Sequence, residues 1–230
     1  MTTNDLLGLI FSYVYAFALL LILEAIRRWR KLPTDFTRKL VHIGAGMWIW
    51  GILLLFDHWW LAIIPTGTFI IFNAIFLRYR IFSAMDTKEG ATPGTVYFAF
   101  SCTLLLAIFH VNWELGFPRG YEYLAMVGIM AMTWGDAAAA IIGKRFGKHT
   151  FRVAGTSKRT IEGSIACFVT TFIAVAITLA ILSPRSLSLL LISALASAII
   201  ATLLEAYSPA GLDNLTVPIG VAFALFFLGL

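Results

Sequence analysis

Two short stretches carry the residue types that phosphoryl chemistry needs. One is Thr133-Trp134-Gly135-Asp136, inside an apolar run that continues into Gly143-Lys144-Arg145-Phe146-Gly147-Lys148. The other is Thr156-Ser157-Lys158-Arg159-Thr160-Ile161-Glu162-Gly163. Together they set one acid inside an apolar helix, then a basic loop punctuated by glycines, then a new apolar helix. Lys and Arg give phosphate oxygens point-charge and forked donors, and glycine lets a backbone approach a ligand closely. The loop has neither Walker A nor GxGxxG spacing, so no standard nucleotide motif stands behind it. A carboxylate at membrane depth is expensive unless paired, which makes Asp136 a functional candidate. The alternative is an acid paired with a nearby Lys or Arg that holds helices together. Ala137 to Ala140 follow it, small enough for a helix or ligand to come close.

A third stretch, Glu205 to Pro218, holds the acids Glu205 and Asp213 and no basic residue. Asp213 and Asn214 offer the oxygen ligands that a hard divalent cation takes. Either could instead cap the following helix. Arg38, Lys39 and His42 open an earlier apolar run, where a histidine either snorkels or donates to a backbone carbonyl. Glu162 either favours the dipole of the helix it begins or pairs with Lys158, four residues before it. His42, His58, His110 and His149 show no metal-ligand spacing, so zinc is not expected. Trp48, Trp50, Phe56, Trp59 and Trp60 read as an interfacial aromatic belt.

The elements that must position these residues are membrane spans. The 230 residues are 60% hydrophobic and 13% charged, against about 25% charged in a soluble domain. The expected fold is all-α, a single polytopic transmembrane domain over residues 1–230 with seven to eight spans. The candidate spans are 6–26, 40–56, 59–77, 94–111, 121–143, 161–182, 187–204 and 215–230. The last, with Pro218 and Gly220, is the least regular. Cys102 and Cys167 fall within apolar runs and read as small core residues. The first apolar run, Leu6 to Ile26, reads as a retained span. Basic residues alternate sharply between loops. Six (Arg27, Arg28, Arg30, Lys31, Arg38, Lys39) follow span one, three (Arg78, Arg80, Lys88) follow span three, and six (Lys144, Arg145, Lys148, Arg152, Lys158, Arg159) follow span five. Only Arg119 and Arg185 fall on the other side. Positive-inside logic puts the three basic loops in the cytoplasm and the N-terminus outside.

The motifs Arg38-Lys39-Leu40-Val41-His42-Ile43-Gly44, Gly135-Asp136 with Gly143 to Lys148, Ser157 to Gly163, and Asp213-Asn214-Leu215-Thr216-Val217-Pro218 occur in this order over about residues 36–220. The set resembles the CTP-dependent lipid kinases: phytol, farnesol and dolichol kinases and the yeast-type diacylglycerol kinase, relatives of the phosphatidate cytidylyltransferases. The phytol-kinase branch is the most similar. The resemblance implies transfer of the γ-phosphoryl group of CTP, or another NTP, to an isoprenoid alcohol drawn from the bilayer, on the cytoplasmic face. It implies Mg²⁺ on Asp136 and Asp213. Nucleotide contacts would come from Lys144, Arg145, Gly147, Lys148, Ser157, Lys158, Arg159 and Asn214. Arg38, Lys39, His42 and Glu205 would face the lipid substrate. Asp136, Lys158, Glu162 and His42 are the catalytic candidates, with the base open among Asp136, Glu162 and His42. Where some relatives carry two consecutive acids, this chain has Leu212-Asp213, and Glu205 is the carboxylate available to substitute. A CDP-lipid-forming cytidylyltransferase and a transporter are the competing readings; no nucleic-acid partner is expected.

Overall fold

The computed structural model describes residues 1–85, 92–110, 121–153, 158–183 and 186–230. Among these, eight apolar helices form one bundle: α1 (Thr3–Arg30), α2 (Thr34–Leu55), α3 (Trp59–Tyr79), α4 (Gly94–His110), α5 (Glu122–Phe146), α6 (Ile161–Leu182), α7 (Leu187–Tyr207) and α8 (Asp213–Leu228). Six are long and apolar enough to cross a bilayer, while α4 and α8 are shorter apolar helices. A helix occupies each of the eight expected segments, and α1 extends beyond its expected ends on both sides. Pro218 lies inside α8 without ending it. A two-residue antiparallel pair, β1 (Thr150–Phe151) with β2 (Arg159–Thr160), sits between α5 and α6.

α5 is the central helix: 72% of its most apolar window is buried, against 22–28% for the other five long helices. It packs on α2, α4, α6, α7 and α8. Leu124, Met126, Val127, Ile129 and Met132 on α5 meet Leu105 and Leu106 of α4 and Val217, Val221 and Leu225 of α8 in the main core. The outer helices show the reverse pattern. Ile161, Ile165, Val169, Ile173, Ile177 and Ile181 recur every four residues along α6 and are exposed, a stripe suited to hydrocarbon. Cys102 and Cys167 are free and buried, as read from the sequence.

The two ends of the bundle differ. At one end buried Asp5 accepts from the backbone N–H groups of Asp57 (3.0 Å) and His58 (3.1 Å), and His58 Nδ1 lies 2.7 Å from it, pinning α1 to the α2–α3 turn. At the other end Glu24 pairs with Arg27 (2.9 Å) and Arg28 (2.7 Å) and accepts from Ala84 N–H (2.8 Å), and Lys144 pairs with Asp35. These contacts bring the basic segments after α1, α3 and α5 to the same end. Of the residues expected in an aromatic belt, Trp60 is exposed, as a belt position requires. The expectation fails for Phe56, which is buried in the core, and for Trp48, whose indole points inward.

Candidate active site

Asp136 closes a π-helical segment, Ala131–Asp136, that interrupts α5. Such single-turn widenings recur at functional sites. The carboxylate is 2% exposed. Lys39 Nζ donates to its Oδ2 at 2.5 Å, and His42 Nε2 lies 3.6 Å from the same oxygen. Lys39 and His42 are three residues apart on α2 and therefore share a face. His42 Nε2 donates to the Met132 carbonyl (3.3 Å), and its ring meets Phe98 edge-on at 4.5 Å. For both groups the structure shows the alternative reading: the buried acid has a lysine partner, and the histidine finds a backbone carbonyl.

The acidic third stretch has a partner that the sequence reading did not assign. Arg159, on β2, reaches Glu205 Oε1 with Nη1 at 3.0 Å and Asp213 Oδ2 with Nη2 at 3.2 Å. Nη2 also donates to the carbonyls of Glu205 (3.2 Å) and Ser208 (3.5 Å). One guanidinium thus ties the loop to the end of α7 and the start of α8, a use of the planar fork that lysine cannot reproduce. Asp213 Oδ1 accepts from the backbone N–H (3.0 Å) and side-chain amide (2.9 Å) of Asn214. Ser101 on α4 donates to the Asn214 carbonyl at 2.7 Å. The turn into α8 needs Gly211, whose φ is +87° and whose hypothetical Cβ would come within 2.9 Å of Thr92. Arg38 in turn donates to Thr92 Oγ1 at 3.1 Å. Arg38, Lys39 and His42 line the same cavity as Asn214, which brings the two clusters side by side. Among the described residues, Arg159 Nε is buried with no hydrogen-bond partner.

Arg38, Lys39, His42, Asp136, Arg159, Glu205, Asp213 and Asn214 are therefore brought together. The remaining sequence candidates lie around them. Lys144, Arg145, Lys148 and Lys158 are exposed, with Lys144 on Asp35 and Arg145 over the Phe146 ring. Glu162 stands in the first turn of α6, and its described partner is His149, at 2.8 Å. Ser157 lies outside the described residues. The loop glycines have a packing reason. A Cβ on Gly163 would lie 2.8 Å from the Ala139 carbonyl and 3.2 Å from Gly143 Cα, so α5 and α6 cross here almost backbone to backbone, and one on Gly147 would lie 2.2 Å from the Gly143 carbonyl of its own helix.

Beside the site is a cavity of about 110 Å³ between α1, α2, α3 and α4. Its mouth carries Arg38, Lys39, His42 and Asn214, and its walls are Leu20, Val41, Ile49, Ile52, Phe69 and Phe98 among others. Among the described residues, no three His, Cys, Asp or Glu side chains converge as a metal cage. Asp136 and Asp213 offer two buried carboxylates. That donor set fits Mg²⁺, which is usually held by one or two carboxylates with the rest of its shell from water and substrate phosphates.

The profile of the cytidylyltransferase family matches residues 5–211. The phytol kinase of Synechocystis sp. is 34% identical over 215 residues, covering 90% of this chain and 85% of the relative. The chain belongs to this family. A probable chloroplastic phytol kinase of Triticum aestivum is 24% identical over 237 residues, covering 92% of the chain and 74% of the relative. No solved structure matches the chain. The family match spans α1 to the α7–α8 turn. Every residue of the converged site lies within it except Asp213 and Asn214, which lie just beyond its last matched position.

Proposed function

We propose that the protein is a membrane lipid kinase that transfers the γ-phosphoryl group of CTP to an isoprenoid alcohol of the phytol, farnesol or geranylgeraniol class, with Mg²⁺, on the cytoplasmic face. The observation that carries the reading is that Lys39 and His42, the two side chains that face Asp136, also line the polar end of an apolar cavity. An alcohol headgroup and a hydrocarbon tail ask for that pairing. The names of the two curated relatives favour an alcohol acceptor, and the fifteen basic residues in the three basic segments favour the cytoplasm for that end.

Phosphoryl transfer is mostly positioning and charge neutralisation. The alcohol oxygen attacks the γ-phosphorus as the bond to the β–γ bridging oxygen breaks, and CDP leaves. The hydroxyl proton passes to the His42–Asp136 pair. Lys39 lies where it can shift from Asp136 towards an arriving phosphate oxygen. Arg159 holds Glu205 and Asp213 in register. Lys144, Arg145, Lys148 and Lys158 form an exposed basic rim for the rest of the triphosphate. Asp136 and Asp213 would hold Mg²⁺, which supplies neutralisation of phosphate charge when bound. Glu162, engaged with His149 at the surface, is the weakest of the three base candidates.

The family's name favours a second reading, in which the α-phosphorus of CTP is attacked by a lipid phosphate and pyrophosphate leaves. Purified protein given phytol and CTP labelled in either the α or the γ position separates them. Label from the γ position in the lipid supports the kinase. Label from the α position, with phosphatidate as acceptor, replaces it with the cytidylyltransferase.

A further inference from the structure

The cavity beside the site has two unlike ends. The end at Arg38 and Lys39 is charged, whereas towards Ile52 the cavity is lined by side chains whose polar atoms are already used. Trp48 Nε1 donates to Ser12 Oγ at 3.0 Å, and the indole stacks on Tyr15 with centroids 4.4 Å apart. Tyr15 OH donates to the Gly44 carbonyl at 2.9 Å. What these groups present inward is ring face, and Ile49 and Ile52, 2% and 1% exposed, complete the wall. A belt tryptophan directs its N–H to headgroups; this one directs it to a buried serine on the neighbouring span. An apolar space whose wall groups are already satisfied takes apolar ligands.

We infer that Trp48, braced by Ser12 and Tyr15, forms with Ile52 the stop that measures the length of the bound isoprenoid chain. The inference rests on the lipid-alcohol kinase reading. The hydroxyl must sit at the Lys39–His42–Asp136 cluster to react, so the tail must run away from it along α2. From His42 to Ile52 that helix rises about 15 Å. A chain longer than this space cannot seat its hydroxyl without pressing the stop, and a shorter one leaves apolar wall unfilled. Selection therefore falls on kcat/KM for transfer, with the chemistry at the mouth untouched.

The test is a series of alcohols lengthened by single isoprene units, from geraniol to geranylfarnesol, with γ-labelled CTP and purified full-length protein. Wild type should show an optimum within the series. Trp48→Ala and Ile52→Ala should raise kcat/KM for the longest alcohol relative to farnesol by about tenfold or more, and Ala45→Phe, which fills the cavity midway, should lower that ratio by a similar factor. Ile52→Val gives the same sign as Ile52→Ala with little risk to folding. Variants that change kcat/KM for every alcohol by one common factor, on an active wild type, overturn the stop alone. A wild type that phosphorylates no alcohol in the series overturns the kinase reading itself, and the stop with it.

Discussion

Lys39 and Asp136 form the most deeply buried ion pair of the site, and the two partners should not be equally dispensable. Asp136 is 2% exposed and the Lys39 side chain 17%. Lys39→Met leaves a carboxylate in the interior with only His42, at 3.6 Å, to face it. Removing one partner of a buried pair costs about 3–5 kcal/mol, because the other charge remains desolvated. At about 2–4 °C per kcal/mol for a chain of this size, that is a fall in Tm on the order of 10 °C. Asp136→Asn leaves the ammonium instead. Its four-carbon stem lets it reach the aqueous end of the bundle, so the expected loss is about 1–2 kcal/mol, the scale of one unmade hydrogen bond. The double variant Lys39→Met/Asp136→Asn removes both charges and should recover most of the stability lost in Lys39→Met. Activity should behave differently: all three variants should be inactive, since the double variant restores packing and not the acid. The assay is thermal unfolding in detergent at one scan rate, alongside label transfer from γ-labelled CTP to phytol. If Lys39→Met and Asp136→Asn lose equal stability, or if the double variant recovers activity, the reasoning is wrong.

Three further outcomes follow from the site's geometry. Arg159→Lys keeps the charge but cannot span Glu205 and Asp213 while also capping two carbonyls, so it should lose about 1–3 kcal/mol of stability and most of the turnover; a variant with wild-type Tm and kcat would show that the fork is idle. Lys158→Ala removes an exposed cation, so its Tm should not move while the KM for CTP rises about tenfold, as expected for one charge-assisted phosphate contact; unchanged KM would reduce this lysine to a topological role. Asp213→Asn should raise the Mg²⁺ concentration needed for half-maximal rate and be partly rescued by Mn²⁺, and a variant with the wild-type metal requirement would remove Asp213 from the metal set.

Most of the fold was legible because hydrophobic length is a strong signal. Eight apolar runs became eight helices, and even the Pro218 segment was placed within two residues. The site was legible where a residue was costly in its surroundings. Asp136 and the base-free stretch from Glu205 to Pro218 both declared themselves in that way. What could not be read was pairing. Nothing local says that Arg159 belongs to Glu205 and Asp213, 46 and 54 residues away. The acidic stretch without a base of its own was read towards a divalent cation, whereas its partner in the structure is Arg159. Trp48 was misplaced for a related reason: a tryptophan near a span end satisfies the belt pattern whichever way its indole turns, and only the partner Ser12 shows that it turns inward. Gly143 and Gly163 were read towards a ligand because the close approach of the α5 and α6 backbones at them is invisible in sequence.

Charge accounting links the exposed rim to the buried centre. Lys39 pairs with Asp136, Arg159 spans Glu205 and Asp213, and Arg38 stands beside them on Thr92, so the formal charges of the site cancel before any nucleotide arrives. A triphosphate brings several further negative charges to a place where an unpaired one costs several kcal/mol. Lys39 can turn to a phosphate only by leaving Asp136, which moves the imbalance without removing it. New positive charge must therefore come from outside the cluster. The sources at hand are a divalent cation entering with the phosphates and the exposed side chains of Lys144, Arg145, Lys148 and Lys158. That need explains why an ion network already complete in itself is ringed by basic residues, and why neutralising the rim should weaken nucleotide binding while leaving the fold intact.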